Sequence, residues 1–311
     1  MSSRTIAALF VTMILWSSAF AAIRDAATVY DAGSLALLRF LFASAALGLY
    51  AIYNRMRMPE PADLPRIFII GLLGISGYHV LLNEGEKTID SGTAAFLICT
   101  APVFTALIAR FYLKEKLRIG GWLGIAISLC GVLLISIGKS ESKEFRFDAH
   151  ALLIVGSAFF ASIYTVMQKP FLNKKYTALE FTTYVIWAGT LCMLVFLPRA
   201  FQQIQTAPTK ETLLVAYLGV FPGAIAYVTW TYVLGSMPVS RAVSFLYLQP
   251  PLATIVGWIV LDEGPRKIAL LGGLLALAGV VVVNRYGRVA AAGGPGGPDK
   301  VRVPKAQEAS Q

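Results

Sequence analysis

Formal charge is scarce in this chain. Of its 311 residues only 14% are Asp, Glu, Lys or Arg, against roughly 25% in an ordinary soluble domain. A water-soluble fold needs a charged skin, so the shortage excludes a soluble globular protein. Histidine and cysteine are scarce too, with two and three residues. Cys99, Cys130 and Cys192 lie inside apolar runs with no CxxC pair, which excludes a zinc ribbon or disulfide framework and leaves three buried small hydrophobes. Only His79 stands as an ionisable imidazole at membrane depth, so no catalytic cluster, metal site or cofactor site is expected, and the chain does not read as an enzyme. The strict alternation of a transmembrane barrel is absent. So is a nucleotide loop: Gly138-Lys139-Ser140 ends like one, but Leu133 stands where the spacing needs glycine.

Apolar residues are abundant, at 57% of the chain. A bilayer core needs about 20 consecutive apolar residues per helix. Ten charge-poor runs fit: Thr5–Ile23, Gly33–Tyr53, Ile67–Asn83, Ser91–Ala109, Ile119–Gly138, Ala149–Gln168, Phe181–Leu197, Thr212–Ser236, Ala242–Leu261 and Ile268–Asn284. All are expected to be helices, because an isolated strand leaves its backbone unsatisfied in lipid. Ala19-Phe20-Ala21 mimics a signal-peptide cleavage site, but the apolar run extends past a typical signal core, so the first span is read as retained. The segment after Tyr286, with Gly293-Gly294-Pro295-Gly296-Gly297-Pro298, reads as a flexible tail.

The net charge is +10, and its distribution sets the orientation. With the N-terminus cytoplasmic, 17 Lys and Arg fall inside and nine outside, leaving Arg39 within a span. The positive-inside rule therefore puts both termini in the cytoplasm. The inside sums to +11 and the outside to −2, so the basic excess is a topology signal and no nucleic-acid partner is expected.

The chain matches itself at an offset of 148. Gly71 falls on Gly219, Pro102 on Pro250, Leu113 on Leu261 and Glu115 on Glu263; Leu123-Gly124 falls on Leu271-Gly272, and Gly131-Val132 on Gly279-Val280. A shift of 144 pairs Trp16, Ser18 and Phe20 with Phe160, Ser162 and Tyr164. Two copies of five helices result, with residues 1–140 as the first, 141–286 as the second and 287–311 as the tail. Five is odd, so the second copy enters the membrane upside down. The fold class is all-α membrane protein: ten transmembrane helices as two inverted five-helix repeats around a central cavity. Such repeats mark secondary transporters, with the substrate near the midplane.

Trp16-Ser17-Ser18-Ala19-Phe20, Leu38-Arg39-Phe40, Ala101-Pro102-Val103 with Leu113-Lys114-Glu115, and Gln249-Pro250-Pro251 with Leu261-Asp262-Glu263 resemble motifs of the drug/metabolite transporter superfamily, EamA type. The likeness covers residues 1 to about 286. Within that superfamily the chain is similar to YddG-type exporters of aromatic amino acids. The resemblance implies a bacterial inner-membrane carrier that exports small metabolites by alternating access, with a small-molecule substrate, the lipid bilayer as its other partner, no cofactor and a monomeric state. A multidrug exporter of the same fold is the alternative, and a channel a more distant one, since neither charged rings nor repeated filter carbonyls are visible.

An ionisable residue inside a span is a functional candidate by default, which puts His79 first. Ser76, His79, Asn83 and Glu86 share one face of a regular helix, with Tyr78 beside it. Candidate cavity residues are Trp16 and Ser18 on the first helix, Tyr164 and Gln168 on the sixth, Tyr227 and Trp230 on the eighth, and Ser244, Tyr247 and Gln249 on the ninth. Aromatic rings at that depth suit stacking of a planar or apolar substrate, or ordinary helix packing. Arg39 and Glu86 are candidates for a gating or structural ion pair. Pro102, Pro250 and Pro251 are expected to break helix hydrogen bonding near midspan. Gly120, Gly124 and Ser128, and Gly272 with Ala276, form small-residue stripes for close helix packing. Glu115 and Glu263 read as helix-end anchors.

Overall fold

A computed structural model describes residues 1–85, 97–115, 117–139, 149–172, 175–252, 255 and 267–287. Among them each of the ten apolar runs carries helix and no strand occurs. We label the helices α1 (Ser3–Ala26) and α2 (Ala32–Tyr53), α3 (Pro61–Gly85), α4 (Ala101–Tyr112), α5 (Ile119–Lys139) and α6 (Ala149–Met167). They are followed by α7 (Ala178–Thr206) and α8 (Thr209–Ser236), α9 (Val239–Val243, continuing as a 3₁₀ turn over Ser244–Leu248) and α10 (Lys267–Tyr286). Five helical stretches, α2, α3, α7, α8 and His150–Phe171, are long and apolar enough on their own to cross a membrane. The tail beyond residue 287 and Glu86 lie outside the described residues.

The exterior is apolar. Phe10, Leu49, Phe111, Ile119, Val195 and Leu274 are all more than half exposed. In water that surface would aggregate; in lipid it is the solvated face. The cysteine expectation needs a correction on the same ground. Cys99 is buried, but Cys192 is only partly covered and Cys130 on α5 is exposed, because here an apolar position is as well placed against lipid as in the core.

Helix ends are chemically specified. Asp31 caps α2, its Oδ1 accepting from Gly33 N and Ser34 N at 3.0 Å each and its Oδ2 from Ser34 Oγ at 3.0 Å. Arg199 Nε of α7 reaches the same Oδ2 at 2.8 Å. Burial alone pushes this carboxyl up, but the bonds from Ser34 and Gly33 and the charge of Arg199 outweigh it and hold the group below the ordinary carboxylate range. A depressed value stabilises the fold above the unfolded-state value and loses that contribution as pH falls through the folded one. Asp31→Ala should therefore cost about 1 kcal/mol at neutral pH. Melting curves in detergent should show the gap to wild type closing once the pH drops below about 4.

Two helices carry a wide turn at matching places. Residues Leu72–Gly77 of α3 and Gly219–Ile225 of α8 are π-helical, and Gly71 and Gly219 open them 148 apart in sequence. In α8 Pro222 removes a backbone donor inside the turn, which the wider ladder accommodates. Both glycines sit where backbones touch. A Cβ on Gly71 would lie 2.6 Å from Val185 O of α7, and one on Gly219 would lie 2.3 Å from Arg39 O of α2. These approaches fix α3 on α7 and α8 on α2.

The tightest pairing is α5 against α10. A Cβ on Gly131 would meet Ala276 N at 2.4 Å and Gly272 O at 2.6 Å, and one on Gly279 would meet Gly124 O at 2.6 Å. Ser128 Oγ donates to Ala276 O at 3.1 Å. The small-residue stripes are thus the interface, and Ser128 and Ala276 are themselves 148 apart. Ser17 Oγ donates to Gln249 O at 3.4 Å and Ser162 Oγ to Ala101 O at 2.9 Å. The two acceptors are 148 apart and the two donors 145, one residue off the 144 shift read from the motifs.

Candidate functional site

A cavity of about 110 Å³ lies between α1, α2, α3, α6, α8, the start of α4 and the end of the α9 segment. Its wall takes Trp16 from α1, Arg39 from α2, Tyr78 and His79 from α3, Tyr164 from α6, Tyr227 and Trp230 from α8, and Gln249 from the end of the α9 segment. Eight candidates named from the sequence therefore share one space. Leu82, Cys99, Ala101, Ala161 and Thr165 add apolar or weakly polar wall; nothing in the sequence set them apart from packing residues.

The rings interlock. Trp16 meets Tyr227 edge-on with centroids 5.5 Å apart and tilts against Trp230 at 5.5 Å. Tyr164 meets Tyr227 edge-on at 5.9 Å. Trp16 Nε1 donates to Pro222 O at 3.2 Å, so the indole is anchored by a carbonyl of the α8 π-turn. The His79 imidazole lies between Phe40 and Tyr78, at centroid distances of 4.7 and 4.6 Å. Its Nε2 is 2.9 Å from Tyr227 Oη. Nδ1 is buried and has no hydrogen-bond partner among the described residues. The Arg39 side chain is 3% exposed, with its guanidinium carbon 6.0 Å from the Phe40 ring centroid.

Other candidates hold the frame beside the cavity. Asn83 Nδ2 donates to Ala32 O of α2 at 3.0 Å, and Ser76 Oγ to Gly189 O of α7 at 2.7 Å. The π-turn ending at Gly77 breaks the regular spacing, so Ser76, His79 and Asn83 serve three different neighbours. Ser18 Oγ pairs with Tyr217 Oη at 2.7 Å. Gln168 is fully buried and its Oε1 accepts from Thr231 Oγ1 at 3.2 Å, which in turn accepts from Thr182 Oγ1 at 2.9 Å. Ser244 Oγ donates to Arg241 O at 2.8 Å and accepts from Asn284 Nδ2 at 3.3 Å. Tyr247 is buried among residues of α4, α5 and α10. Pro102 stands in the first turn of α4, after a break at Cys99–Thr100, and Pro250 and Pro251 follow the 3₁₀ turn of the ninth run. Arg39's suggested partner Glu86 lies outside the described residues.

Two charged side chains hold the connection between α8 and α9. Lys114 takes a left-handed φ of 57° at the end of α4 and turns Glu115 across to the second half of the chain. There Glu115 Oε1 accepts from Val239 N at 2.9 Å, and Oε2 from Ser240 N at 3.1 Å and Ser240 Oγ at 2.7 Å. Lys169, just past α6, donates to Leu234 O and, at 2.7 Å, to Met237 O. An anion at a helix start and a cation at a helix end both suit the local dipoles. The α8–α9 connection is thus clamped from both sides. Glu115 is an anchor as its sequence context suggested, but on a helix of the opposite repeat, and Lys169 carries no distinguishing sequence signal. Glu115→Ala should cost about 1.5–3 kcal/mol in a detergent melt, since hydrogen bonds to a charged group are lost. Glu115→Gln should recover part of this, because its amide oxygen can still accept.

A larger groove of about 640 Å³ lies between α3 and α7, lined by Met58, Phe68, Trp187 and Leu191 among others. It contains none of the residues singled out from the sequence.

A family model described as the EamA-like transporter family matches residues 3–137 and 149–285, one copy per half. An uncharacterized transporter, YdfC of Bacillus subtilis, is 42% identical over 280 residues, covering 88% of this chain and 90% of the relative. A probable terminal-alkyne amino-acid exporter of Streptantibioticus cattleyicolor is 38% identical over 296 residues, covering 94% and 98%. The uncharacterized inner membrane transporter YedA of Escherichia coli is 28% identical, covering 88% and 89%. A solved crystal structure superposes with a TM-score of 0.73 at 20% identity, covering 92% of this chain and 98% of that one, and so shares the fold.

Proposed function

Because this chain belongs to the EamA-like transporter family, a family of membrane transporters, we propose that it exports amino acids with apolar or aromatic side chains by alternating access. The observation that carries the substrate class is the wall of the cavity. Trp16, Tyr164, Tyr227 and Trp230 offer ring faces and edges to an apolar group, while His79, Gln249 and Arg39 supply the few polar contacts that orient it. The similarity to a probable amino-acid exporter over nearly the whole chain supports the class.

In this reading the two halves, 1–140 and 141–286, rock about the cavity. The Glu115–Lys169 clamp closes the mouth that the positive-inside count assigns to the cytoplasm, with both termini on that side. Export then requires the clamp to open and admit substrate. Transport works as a monomer in the bacterial inner membrane, and Asn83, Ser18, Gln168, Ser244 and Tyr247 support the cavity wall, while Pro102, Pro250 and Pro251 provide the breaks about which α4 and α9 bend. The test is uptake into proteoliposomes of a panel of amino acids, with and without a pH gradient. Saturable uptake of apolar and aromatic members is expected. If charged or sugar-like solutes move and no apolar amino acid does, the substrate assignment fails.

A further inference from the structure

His79 and Tyr227 are 148 residues apart, the offset that relates the two copies, and they hydrogen-bond each other at 2.9 Å. In an inverted repeat a contact between equivalent residues lies on the relating two-fold axis. Ser128 and Ala276, also 148 apart and bonded at 3.1 Å, obey the same rule. An axial contact maps onto itself when the two halves exchange conformations. Off-axis contacts such as Glu115 with Val239 do not. Exchange of conformations between the halves leaves the separation of these two backbone positions unchanged, so it does not by itself pull the His79–Tyr227 pair apart.

The chemistry of the pair sets the direction of that bond. A phenol hydroxyl is a strong donor, an unprotonated imidazole nitrogen a strong acceptor, and a phenol oxygen a weak acceptor. Tyr227 Oη makes no other hydrogen bond among the described residues. Donation from Tyr227 to Nε2 places the imidazole proton on Nδ1, since the bond made by one ring nitrogen fixes the state of the other. Nδ1 is the buried atom without a partner among the described residues. Phe40 and Tyr78 flank the ring and hold its plane.

We propose that Tyr227 is a positioning residue that fixes His79 as its Nδ1–H tautomer, so that this N–H is the donor for a carboxylate of the transported solute. The inference rests on the exporter reading and sharpens it: an apolar carboxylate is the recognised unit, and the α-ammonium is secondary.

Two measurements decide it. The first is ¹⁵N NMR of histidine-labelled protein in nanodiscs, in a His150→Gln background so that His79 alone reports. A protonated Nδ1 and an unprotonated Nε2 are expected, with Tyr227→Phe moving both nitrogens toward the averaged shifts of a mixed tautomer. An Nε2–H form, or shifts that Tyr227→Phe leaves in place, overturns the proposal. The second is calorimetric binding of 3-phenylpropionate and phenethylamine. The acid should bind and the amine should not, and Tyr227→Phe should weaken the acid several-fold, because the Nδ1–H tautomer that donates to the carboxylate is then only part of the population. Tighter binding of the amine, no binding of the acid, or an unchanged constant in Tyr227→Phe overturns the proposal. Failure of the wild-type protein to move any amino acid, with both results as expected, would sink the exporter reading and leave the tautomer and carboxylate assignments standing.

Discussion

His79→Ala is expected to reach the membrane and fold, and to lose between about tenfold and hundredfold in transport of its substrate. The size follows from removing a hydrogen bond to a charged group, worth about 1.5–3 kcal/mol, with each 1.4 kcal/mol a factor of about ten. The imidazole is 5% exposed and faces the cavity, and the variant also strips Tyr227 Oη of its partner. Some stability is therefore lost as well, on the order of 1–3 kcal/mol for an unsatisfied buried group. Rates must be normalised to folded protein, for instance by size-exclusion fluorescence of a fusion. Export at the wild-type rate per folded molecule would remove His79 from the site.

Gly131→Ala should be far more damaging to the fold than its single added carbon suggests. Its Cβ would lie 2.4 Å from Ala276 N and 2.6 Å from Gly272 O. Both are backbone atoms of α10, so no side chain can swing aside. The helices must separate, and with them go the neighbouring contacts of Gly124 and Gly279 and the Ser128 bond. Overpacking costs about 1–3 kcal/mol where neighbours can give way, and here the upper end or more is expected. Gly156→Ala is the matched control. Its Cβ would meet only Leu81 Cδ1 at 3.6 Å, an ordinary contact, and the gain in helix propensity of up to about 1 kcal/mol should leave it neutral or stabilised. In detergent the thermal melt of Gly131→Ala should fall well below wild type, while that of Gly156→Ala should stay level or rise.

The contrast between these glycines bears on what the sequence discloses. Both lie in apolar helices and look alike in composition. Gly131 was legible because it recurs 148 residues later as Gly279, each three residues past a stripe of small residues at helical spacing. The spans, the two copies and the aromatic, histidine-bearing wall were legible for similar reasons: each is a periodicity or a polar residue in a place where lipid makes polarity costly. The π-turns were not. Gly71, Gly219 and Pro222 are visible, but their effect on register is a tertiary outcome, and assuming regular spacing through α3 put Ser76 and Asn83 on the face of His79. The clamp was hidden for another reason. Glu115 and Lys169 find partners 124 and 68 residues away, and a local reading of a charge after a helix sees only the helix it follows.

The claim on which the rest depends is that this cavity carries an apolar amino acid across the membrane by alternating access. The most direct test is counterflow: proteoliposomes loaded with unlabelled phenylalanine or leucine, diluted into a trace of the labelled compound. The account predicts a transient overshoot of label that saturates with concentration and is absent in His79→Ala. Uptake that only equilibrates, rising linearly with concentration and unaffected by internal amino acid, would contradict it and point to a pore.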